Sequence, residues 1–546
     1  MFYLCSTANL STGGTAIDLT DVVHPDNRSM AERAIKAVGL DIGGVDFLTA
    51  DISQSYKDAG GGIVEVNAAP GFRMHVAPSE GKSRDVSGKV MDMLFPPGTP
   101  SRIPIAGITG TNGKTTTSRM LSHILKGAGH VVGMTSTDGV YIDGQLTVKG
   151  DMTGPVSSKI VLRDPSVDIA VLETARGGIL RSGMGYRESD VAAVLNVQED
   201  HLGLKGIDTV EQLAEIKRIV VEIAKGTAVL NADDPSCLRM ADFTKAKHIC
   251  YVTVNPGHGL VREHIRSGGR AVVLEKGING EMITIYDNGA HIPLLWTHLI
   301  PATLEGKAIH NVQNAMFAAA LAYGLDKTLE EIRHGLRTFN TTFFQAPGRM
   351  NVYDEHQFRV ILDYAHNKDG VGFMSELATK LEVNGKRIVV LAGPGDRRDQ
   401  DLVNIAKAAA GHFDVYVCKA DDNRRGRGHD EVPVMMANTL KACGIDEGAI
   451  LVVADEAQAV DKALSLAQPD DLVMVFGDQV TRCWKQIIGF SHDGQPLPEK
   501  STKPVQTVVS MLETNEPDTF VLGSGMKIVS DSRGVRVVEA MDEEAD

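Results

Sequence analysis

The chain has 546 residues, too many for a single hydrophobic core, so two or three domains are expected. Its formal charge of −15 argues against a nucleic-acid partner, because binding to a phosphate backbone depends on clustered Lys and Arg. The sequence has no run of about 18 apolar residues and no basic segment at its start, so we predict neither a membrane span nor a secretory signal, and expect a cytoplasmic protein. The six cysteines form no CxxC pair, which favours reduced thiols over disulfides or a zinc site.

The segment FPPGTPSRIP, from Phe95 to Pro104, indicates the first domain boundary. Its prolines and its glycine interrupt the pattern of regular structure on both sides, as a linker does. We therefore predict an N-terminal unit over residues 1–95, joined to the rest of the chain by a linker over residues 96–104.

Alternating strands and helices are predicted from residue 105 onward. Residues 105–344 alternate short apolar runs with helical periodicity, which predicts βαβ units and a parallel sheet covered by helices on both faces. Short strands with Gly turns predict an antiparallel insert at about 251–301. Residues 345–546 form a second α/β unit, whose four apolar strands each end in polar or Gly-rich residues. The last dozen residues are predicted to be a solvated acidic tail.

A glycine-rich turn between a predicted strand and a predicted helix indicates a phosphate-binding loop. Its glycines let successive N–H groups point at phosphate oxygens, its lysine adds a full charge, and the hydroxyl of Thr115 can ligate Mg²⁺. The loop departs from the GxxxxGK[ST] spacing, because Ile108 stands where the first glycine would be. The predicted phosphate-binding residues are Gly110, Thr111, Asn112, Gly113, Lys114, Thr115 and Thr116.

Two later strands deliver polar side chains that suit a metal ion. The strand in VDIAVLETARGG ends at Glu173, and the strand in VAAVLNVQEDHLG leads to Asp200 and His201. A carboxylate and a neutral imidazole at adjacent strand ends are reasonable Mg²⁺ ligands, directly or through water. No base-reading NKxD segment follows, so the sequence does not favour a GTPase.

Eight motifs carry a resemblance to a known family. GTNGKTTT, DMTGP, ETARGGILRSG, NVQEDHLG, AVLNADDP, HNVQN, PGRM and DYAHN occur in the order found in the Mur ligase superfamily, the ATP-dependent amide ligases of peptidoglycan and folylpolyglutamate synthesis. The resemblance covers about residues 100–500. It implies an α/β fold in which a Mur ligase-like central domain, with a phosphate loop and a parallel sheet, precedes a Rossmann-like α/β C-terminal domain.

A narrower resemblance concerns the N-terminal unit. STGGTAIDLTD, EVNAAPGFRMH and MLFPPGTPSRIPI are similar to ligases in which an ATP-grasp domain precedes the Mur-like domain. It implies that residues 1–95 are the end of an ATP-grasp domain, with Asp46, Glu65 and Asn67 matching its Mg²⁺ ligands. We find no counterpart of the nucleotide-clamping lysines and glycine loop, and Cys5 stands where a basic residue is expected. We therefore predict that this unit does not bind ATP by itself and that its remnant metal site is unused.

The resemblance implies that ATP and Mg²⁺ activate a carboxylate as an acyl phosphate. Lys217 matches a lysine that is carbamylated in many Mur ligases and helps to bind a second Mg²⁺, although a solvated helical lysine is the ordinary alternative. Arg349 and Asp363 match residues that contact the ATP phosphates and ribose, and Asn311 and Asn314 lie near the expected adenine site. The implied catalytic residues are Lys114, Glu173, His201, Lys217, Arg349 and Asp363.

The narrower resemblance also implies the substrates. The α-amine of L-arginine would be added to the β-carboxylates of a poly-aspartate primer, and we expect a homo-oligomer. A guanidinium needs an acidic pocket, for which Asp396 and Asp399, or Asp421 and Asp422, are candidates beside the alternative of ordinary loop acids. For the acceptor the candidates are His366 and Asn367.

Two other interpretations stay open at this point. One is a Mur-type ligase that uses another amino acid and acceptor. The other is a non-catalytic remnant that binds a nucleotide or a partner synthetase.

Overall fold

The protein was analysed as a computed structural model that describes residues 14–491, 526–531 and 533–539. The chain divides into two compact units, Met1–Arg102 and Ile103–Asp546. Cys5 and residues 540–546 of the predicted acidic tail lie outside the described residues. Within the described ranges, every helix is too short or too polar to cross a membrane.

Over its described residues, 14–102, the first unit contains one small antiparallel sheet and four helices. Its elements are α1 (Pro25–Val38), β1 (Gly44–Leu48), α2 (Tyr56–Ala59), β2 (Gly62–Asn67), α3 (Arg73–Val76) and α4 (Val86–Leu94). Asp46 and Glu65 are direct partners in the β1–β2 register, and Asn67 pairs with Gly44. Among residues 14–102 only the polar Asn27 and Ser55 are fully buried. The three predicted metal-binding side chains therefore come from paired strands, while the ATP-grasp assignment itself stays a prediction.

A sheet of eleven strands dominates the next part of the chain. In sheet order the strands are β13 (Ala290–Trp296), β12 (Gly280–Asp287), β11 (Arg270–Gly277), β10 (His248–Thr253), β9 (Ala224–Asn231), β8 (Ser189–Val194), β3 (Ile105–Thr109), β7 (Ile169–Glu173), β4 (Val132–Thr135), β5 (Gly139–Ile142) and β6 (Gln145–Lys149). The strands from β11 to β4 are parallel, and an antiparallel strand pair continues the sheet at each edge. The predicted parallel sheet is confirmed.

The predicted antiparallel insert is wrong in its extent. Strands β10 and β11 are parallel to β9, and antiparallel pairing begins only at β12. The segment therefore extends the main sheet and is not separate from it. The Gly turns that suggested hairpins join β11 to β12 and β12 to β13. A helix, and not a turn, joins β10 to β11.

Helices cover both faces of this sheet. Lys114–Gly127 (α5), Ile309–Gly324 (α11) and Leu329–Thr338 (α12) pack on one face with the larger apolar core, and α11 is apolar almost all round because it is fully enclosed. On the other face lie Val210–Glu222 (α8), Pro235–Arg239 (α9) and Gly259–Arg266 (α10). Helix α6 (Pro155–Arg163) packs beside β4, β5 and β7, and helix α7 (Arg176–Ser182) contacts α6 and α8.

The C-terminal domain has a second, six-stranded sheet. In sheet order its strands are β14 (Asn351–Tyr353), β15 (Arg359–Asp363), β19 (Leu472–Phe476), β16 (Arg387–Leu391), β17 (Val415–Cys418) and β18 (Ile450–Val452), all parallel except β14. The helices are α13 (Lys368–Lys380), α14 (Asp399–Ala409) and α15 (Glu431–Ala442) on one face, and α16 (Glu456–Leu466) and α17 (Val480–Gly489) on the other. The four predicted strands are confirmed as β15, β16, β17 and β19.

The end of the chain returns to the middle domain. Strands β20 (Met526–Asp531) and β21 (Gly534–Glu539) form a hairpin, and Val535 and Val537 join the core where β21 packs against α9 and α10. The prediction of a solvated tail over the last dozen residues is therefore wrong for residues 535–539. Alternating valines in GVRVVE bury one side of the strand, a period-2 pattern that the acidic composition of the following residues obscures.

Candidate active site

The phosphate loop follows β3, and hydrogen bonds from the side chain of Asn196 hold its backbone in place. The side-chain oxygen of Asn196 accepts the backbone N–H groups of Thr111 and Asn112 at 3.0 and 2.9 Å, and its amide donates to the Asn112 carbonyl. Gly113 has a φ of 86°, and a Cβ there would lie 2.3 Å from Oδ1 of Asn314. The loop therefore requires glycine at residue 113.

Lys114 and Thr115 begin α5 inside this loop. The Lys114 ammonium donates to the Thr111 carbonyl at 2.9 Å, so its side chain folds back over the loop. Thr115 Oγ1 donates to Oε2 of Glu173 at 3.0 Å, and Arg349 Nη2 lies 3.4 Å from the same hydroxyl. Thr115 and Glu173, which were each predicted as Mg²⁺ ligands, are therefore in direct contact.

Glu173 is a buried carboxylate, and only one of its two oxygens has a hydrogen-bond partner among the described atoms. Its side chain is 1% exposed, and its Oε1 has no hydrogen-bond partner among the described atoms. Burial raises the pKa of its carboxyl, against the opposing effects of Lys114 and Arg349. A buried, unsatisfied acceptor beside a threonine hydroxyl is the donor set that Mg²⁺ prefers. These residues therefore fit the predicted metal ion.

The predicted metal ligand His201 lies in a cluster with Asp200 and His366 that also contacts a guanidinium. Ligand atoms of Asp200, His201 and His366 lie within 4.8 Å of one another. Arg397 donates to Nε2 of His201 at 3.0 Å and lies 3.2 Å from Asp200. Burial lowers the pKa of His201 to about 4, so its imidazole is neutral. Burial raises the pKa of Asp200, but His366, His201 and Arg397 outweigh it and leave the pKa lowered.

Lys217 reaches the phosphate loop from α8. It is 4% exposed, and its ammonium donates to the Gly110 carbonyl at 2.7 Å. Burial, with a further contribution from Lys114, lowers its pKa to about 7. A lysine of this pKa has a substantial fraction of uncharged amine near neutral pH, which is the form that reacts with CO₂. The solvated lysine that was the alternative is excluded.

The C-terminal domain closes the site from the opposite side. Asp363 ends β15, and its carboxylate accepts the backbone N–H groups of Met350 and Ala365 at 2.8 and 2.7 Å. Burial raises its pKa, against the effect of Arg349. The Arg349 guanidinium lies over the ring of Tyr364, 5.2 Å from its centroid. Arg349 and Asp363 therefore line the same cavity, while their contacts with ATP stay a prediction.

Two cavities share Lys114, Arg349 and the phosphate loop. The smaller, of about 160 Å³, extends past Thr116 and Asn311 to His310 and Phe373, whose rings stack 6.1 Å apart. The larger, of about 790 Å³, extends past Lys217 and His201 to α7. The larger cavity has the volume of a typical small-molecule binding site.

Several predicted residues have other partners. Asn311 and Asn314 are buried, and their amides bond to one another and to Ala302 and Thr117, so they support the loop from behind. Asn367 contacts the phosphate loop, while His366 lines both cavities.

The four acids proposed for a guanidinium pocket are all ion-paired within the protein. Their cations are Arg397 and Arg425 for Asp396, Arg427 for Asp399, Lys419 for Asp421 and Arg482 for Asp422.

Sequence reasoning missed Asn196, His310, Arg176 and Arg397 as site residues. Arg176 stands in the motif ETARGGILRSG and Arg397 in the segment AGPGDRRD, shortly after strands β7 and β16. Their position after parallel strands was the signal that could have found them.

Two protein-family models match the middle and C-terminal parts of the chain. The Mur ligase middle domain model matches residues 108–322, and the Mur ligase, glutamate ligase domain model matches residues 348–479. The chain is 48% identical over 486 residues to cyanophycin synthetase of Synechocystis sp., covering 88% of the chain and 54% of the relative. It is 47% identical to cyanophycin synthetase of Trichormus variabilis, covering 89% of the chain and 53% of the relative. The chain thus spans about half the length of these curated relatives.

A solved structure supports the same fold. A bifunctional folylpolyglutamate synthase/dihydrofolate synthase with Mn, AMPPNP and L-glutamate bound matches with a TM-score of 0.53 and 20% sequence identity. The match covers 74% of this chain and 93% of the other. This likeness concerns the fold alone.

Proposed function

Because this chain belongs to the Mur ligase family, we propose that it is an ATP-dependent amide ligase that adds L-arginine to the β-carboxylates of poly-aspartate. The names of the curated relatives support this choice of substrates, and the proposal includes neither a nucleic-acid nor a membrane partner. The observation that carries the proposal is the buried Glu173, with its unsatisfied Oε1, hydrogen-bonded to Thr115 in a phosphate loop that also holds Lys114.

The reaction needs an electrophilic carboxyl group. A carboxylate oxygen of the acceptor attacks the γ-phosphorus of ATP, the bond to ADP breaks, and an acyl phosphate forms. The arginine amine then attacks the carbonyl carbon, phosphate leaves, and the amine loses a proton. At about 4 Å, a carboxylate and a phosphate charge repel one another by about 4 kcal/mol at a dielectric of 20. Cations at the loop are needed to offset this repulsion.

The protein's own residues divide this work. Lys114 and the loop N–H groups bind the transferring phosphoryl group, and Arg349 neutralises charge from the C-terminal domain. Asp363 orients the backbone at Met350, next to Arg349. Thr115 and Glu173 would hold Mg²⁺, which supplies further positive charge at the phosphates. Lys217, once carbamylated, and His201 would hold a second ion.

The proximity of the two domains suits an unstable intermediate. Arg349 and the loop line both cavities, so the acyl phosphate would form between the two domains. Closure of the domains on the substrates would exclude bulk water from this intermediate. We propose a cytoplasmic enzyme, and the homo-oligomer stays a prediction. The remnant set of Asp46, Glu65 and Asn67 has no step in this scheme.

Phosphate release from ATP tests the proposal. Purified protein is given Mg²⁺, a poly-aspartate primer and L-arginine, with each omitted in turn. Release should require both substrates, and Lys114→Ala should abolish it. Lys462→Ala, which removes an exposed lysine on α16, should keep the wild-type rate. Turnover with another amino acid in place of arginine would favour the second ligase interpretation, and no turnover would favour a non-catalytic protein.

A further inference from the structure

The larger cavity is strongly cationic in a chain whose formal charge is −15. Eight Lys and Arg side chains line it, against three Asp side chains and no Glu. Two of the three acids are already ion-paired, Asp138 with Arg119 and Asp200 with Arg397. An acidic protein thus concentrates positive charge at this one cavity, which attracts anions.

Six of these cations have no carboxylate within ion-pair distance in the described part of the chain. They are Lys114, Arg176, Arg181, Lys205, Lys217 and Arg349. Lys114, Lys217 and Arg349 contact the phosphate loop or the Thr115 hydroxyl at its end. The proposed function therefore accounts for three and leaves Arg176, Arg181 and Lys205 without a role.

These three residues come from α7 and from the turn after β8. Arg176 donates to the carbonyl of His201 at 2.8 Å and lies 3.5 Å from that of Leu204, which holds it against the turn that carries Lys205. Arg181 lies on the same helix as Arg176 and donates its Nε–H to the Gly177 carbonyl at 3.0 Å. The remaining guanidinium N–H groups of Arg181 and the Lys205 ammonium have no partner among the described atoms and lie at the cavity.

Close packing fixes α7 in position. A Cβ at Gly178 would lie 2.8 Å from the Thr153 carbonyl oxygen and from the Cα of Gly154, so the helix contacts that loop directly through its backbone. Both Thr153 and Gly178 line the cavity. The α7 cations are therefore presented by a rigid element, which suits recognition of a ligand.

We propose that Arg176, Arg181 and Lys205 bind a second, non-reacting carboxylate of an acidic acceptor, while the first carboxylate is phosphorylated at the phosphate loop. This inference rests on the proposed function, and it specifies the acceptor as a chain end with at least two free carboxylates. A terminal aspartyl residue has both, one on the side chain and one at the end of the chain. Arginine forms paired hydrogen bonds with such a carboxylate, and lysine adds a point charge.

The proposal predicts selectivity against an amidated acceptor. Amidation removes the second charge, so the site would lose its ligand while the reacting β-carboxylate stays intact. Binding of a carboxylate by these three cations should also depend on ionic strength, because salt screens the attraction. An acceptor site that held only the reacting carboxylate would show no preference at the chain end.

Peptide binding without ATP tests this separately from catalysis. A fluorescently labelled oligo-aspartate with a free C-terminal carboxylate is titrated with wild-type protein, Arg181→Gln, Lys205→Gln and the double variant, and anisotropy is recorded. Each single variant should weaken binding about tenfold. The amidated peptide should bind the wild type about tenfold more weakly than the free peptide, and the double variant should bind both equally. Arg262→Gln, which removes an exposed arginine of α10, should match the wild type.

Three outcomes would overturn the inference. They are equal affinity of wild type and double variant, an equal loss in Arg262→Gln, and complete displacement of the peptide by a non-hydrolysable ATP analogue, which would assign these cations to the nucleotide. A wild type that binds the free peptide selectively but never releases phosphate would instead count against the proposed function alone.

Discussion

Asn112 of the phosphate loop and Asn367 of the C-terminal domain exchange two side-chain hydrogen bonds, of 2.9 and 3.2 Å. Asn367 is also the N-cap of α13, where its Oδ1 accepts the Gly370 N–H. The same amide therefore begins a helix of one domain and contacts the phosphate loop of the other. This pair links closure of the C-terminal domain to the geometry of the loop.

A double-mutant cycle on this pair should reveal coupling. Asn367→Ser keeps a helix-capping oxygen but is too short to reach Asn112. We expect Asn112→Ala and Asn367→Ser each to lower kcat/KM for ATP about fivefold, equivalent to about 1 kcal/mol. The double variant should be little worse than the more affected single variant, because both remove the same contact. Fully additive losses would contradict this coupling.

Gly178→Ala should destabilise the protein, whereas Gly177→Ala should not. A Cβ at Gly178 would meet the Thr153 carbonyl and Gly154 at 2.8 Å, while at Gly177 the nearest atom, in the Arg181 side chain, is 4.0 Å away. We expect Gly178→Ala to lower the free energy of unfolding by about 1–3 kcal/mol. We expect Gly177→Ala to leave the free energy of unfolding unchanged or to raise it by up to about 1 kcal/mol, since alanine favours a helix. Chemical denaturation measures both, and equal effects would contradict the close approach of α7.

Carbamylation of Lys217 can be tested by chemical rescue. Lys217→Ala removes the side chain that would carry the carbamate and leaves space beside Gly110. We expect a loss of about 100-fold in kcat, partly restored by acetate, because a small carboxylate can supply the missing anion. Phosphate release measures the rate, with Lys114→Ala as a variant that acetate should not restore. Unchanged activity, or no response to acetate, would argue against a carbamate at this residue.

A fully buried ion pair supports the loop after β19. Lys419 and Glu456 are both 0% exposed and lie 2.8 Å apart, and Glu456 accepts the backbone N–H groups of Asp478 and Gln479. We expect Lys419→Met to lower the free energy of unfolding by about 3 kcal/mol, because it leaves a buried charge without its main partner. Lys441→Met breaks the exposed pair with Glu447 and should cost less than about 1 kcal/mol. Similar losses in the two variants, measured by denaturant unfolding, would contradict the effect of burial.

Stability should fall at acid pH through His264. This buried imidazole accepts the Val535 N–H at 2.8 Å, and burial lowers its pKa below the usual 6.5, although nearby backbone carbonyls and Asp531 oppose the shift. Since the unfolded chain then binds the proton more readily, the free energy of unfolding should decrease as the pH falls below about 6.5 and be unaffected by this group above it. Unfolding of His264→Gln between pH 5 and 8 should lack this component, while a variant of the exposed His298 should keep it. If both variants lose the same free energy of unfolding at acid pH, a group other than His264 is responsible for that loss.

The sequence by itself determined the phosphate loop, the strands that flank it and the residues that those strands deliver. Loop chemistry is local: the glycines, Lys114 and Thr115 are neighbours in the chain, and parallel strands necessarily bring their carboxyl ends to one edge. Glu173 and Asp363 could therefore be placed near the loop from strand patterns and a family resemblance. The parallel core of the main sheet followed from the same alternation of apolar runs.

Only the tertiary structure decided which charges are neutralised and which are available. Asp422 pairs with Arg482 and Asp396 with Arg425, partners too distant in sequence for a pattern to reveal, so a predicted acidic pocket became a set of internal ion pairs. The return of β21 to the middle domain was likewise invisible, because its partner α10 lies more than two hundred residues earlier. Periodicity reports which face of an element is apolar, but the partner of a charge is set by proximity in three dimensions.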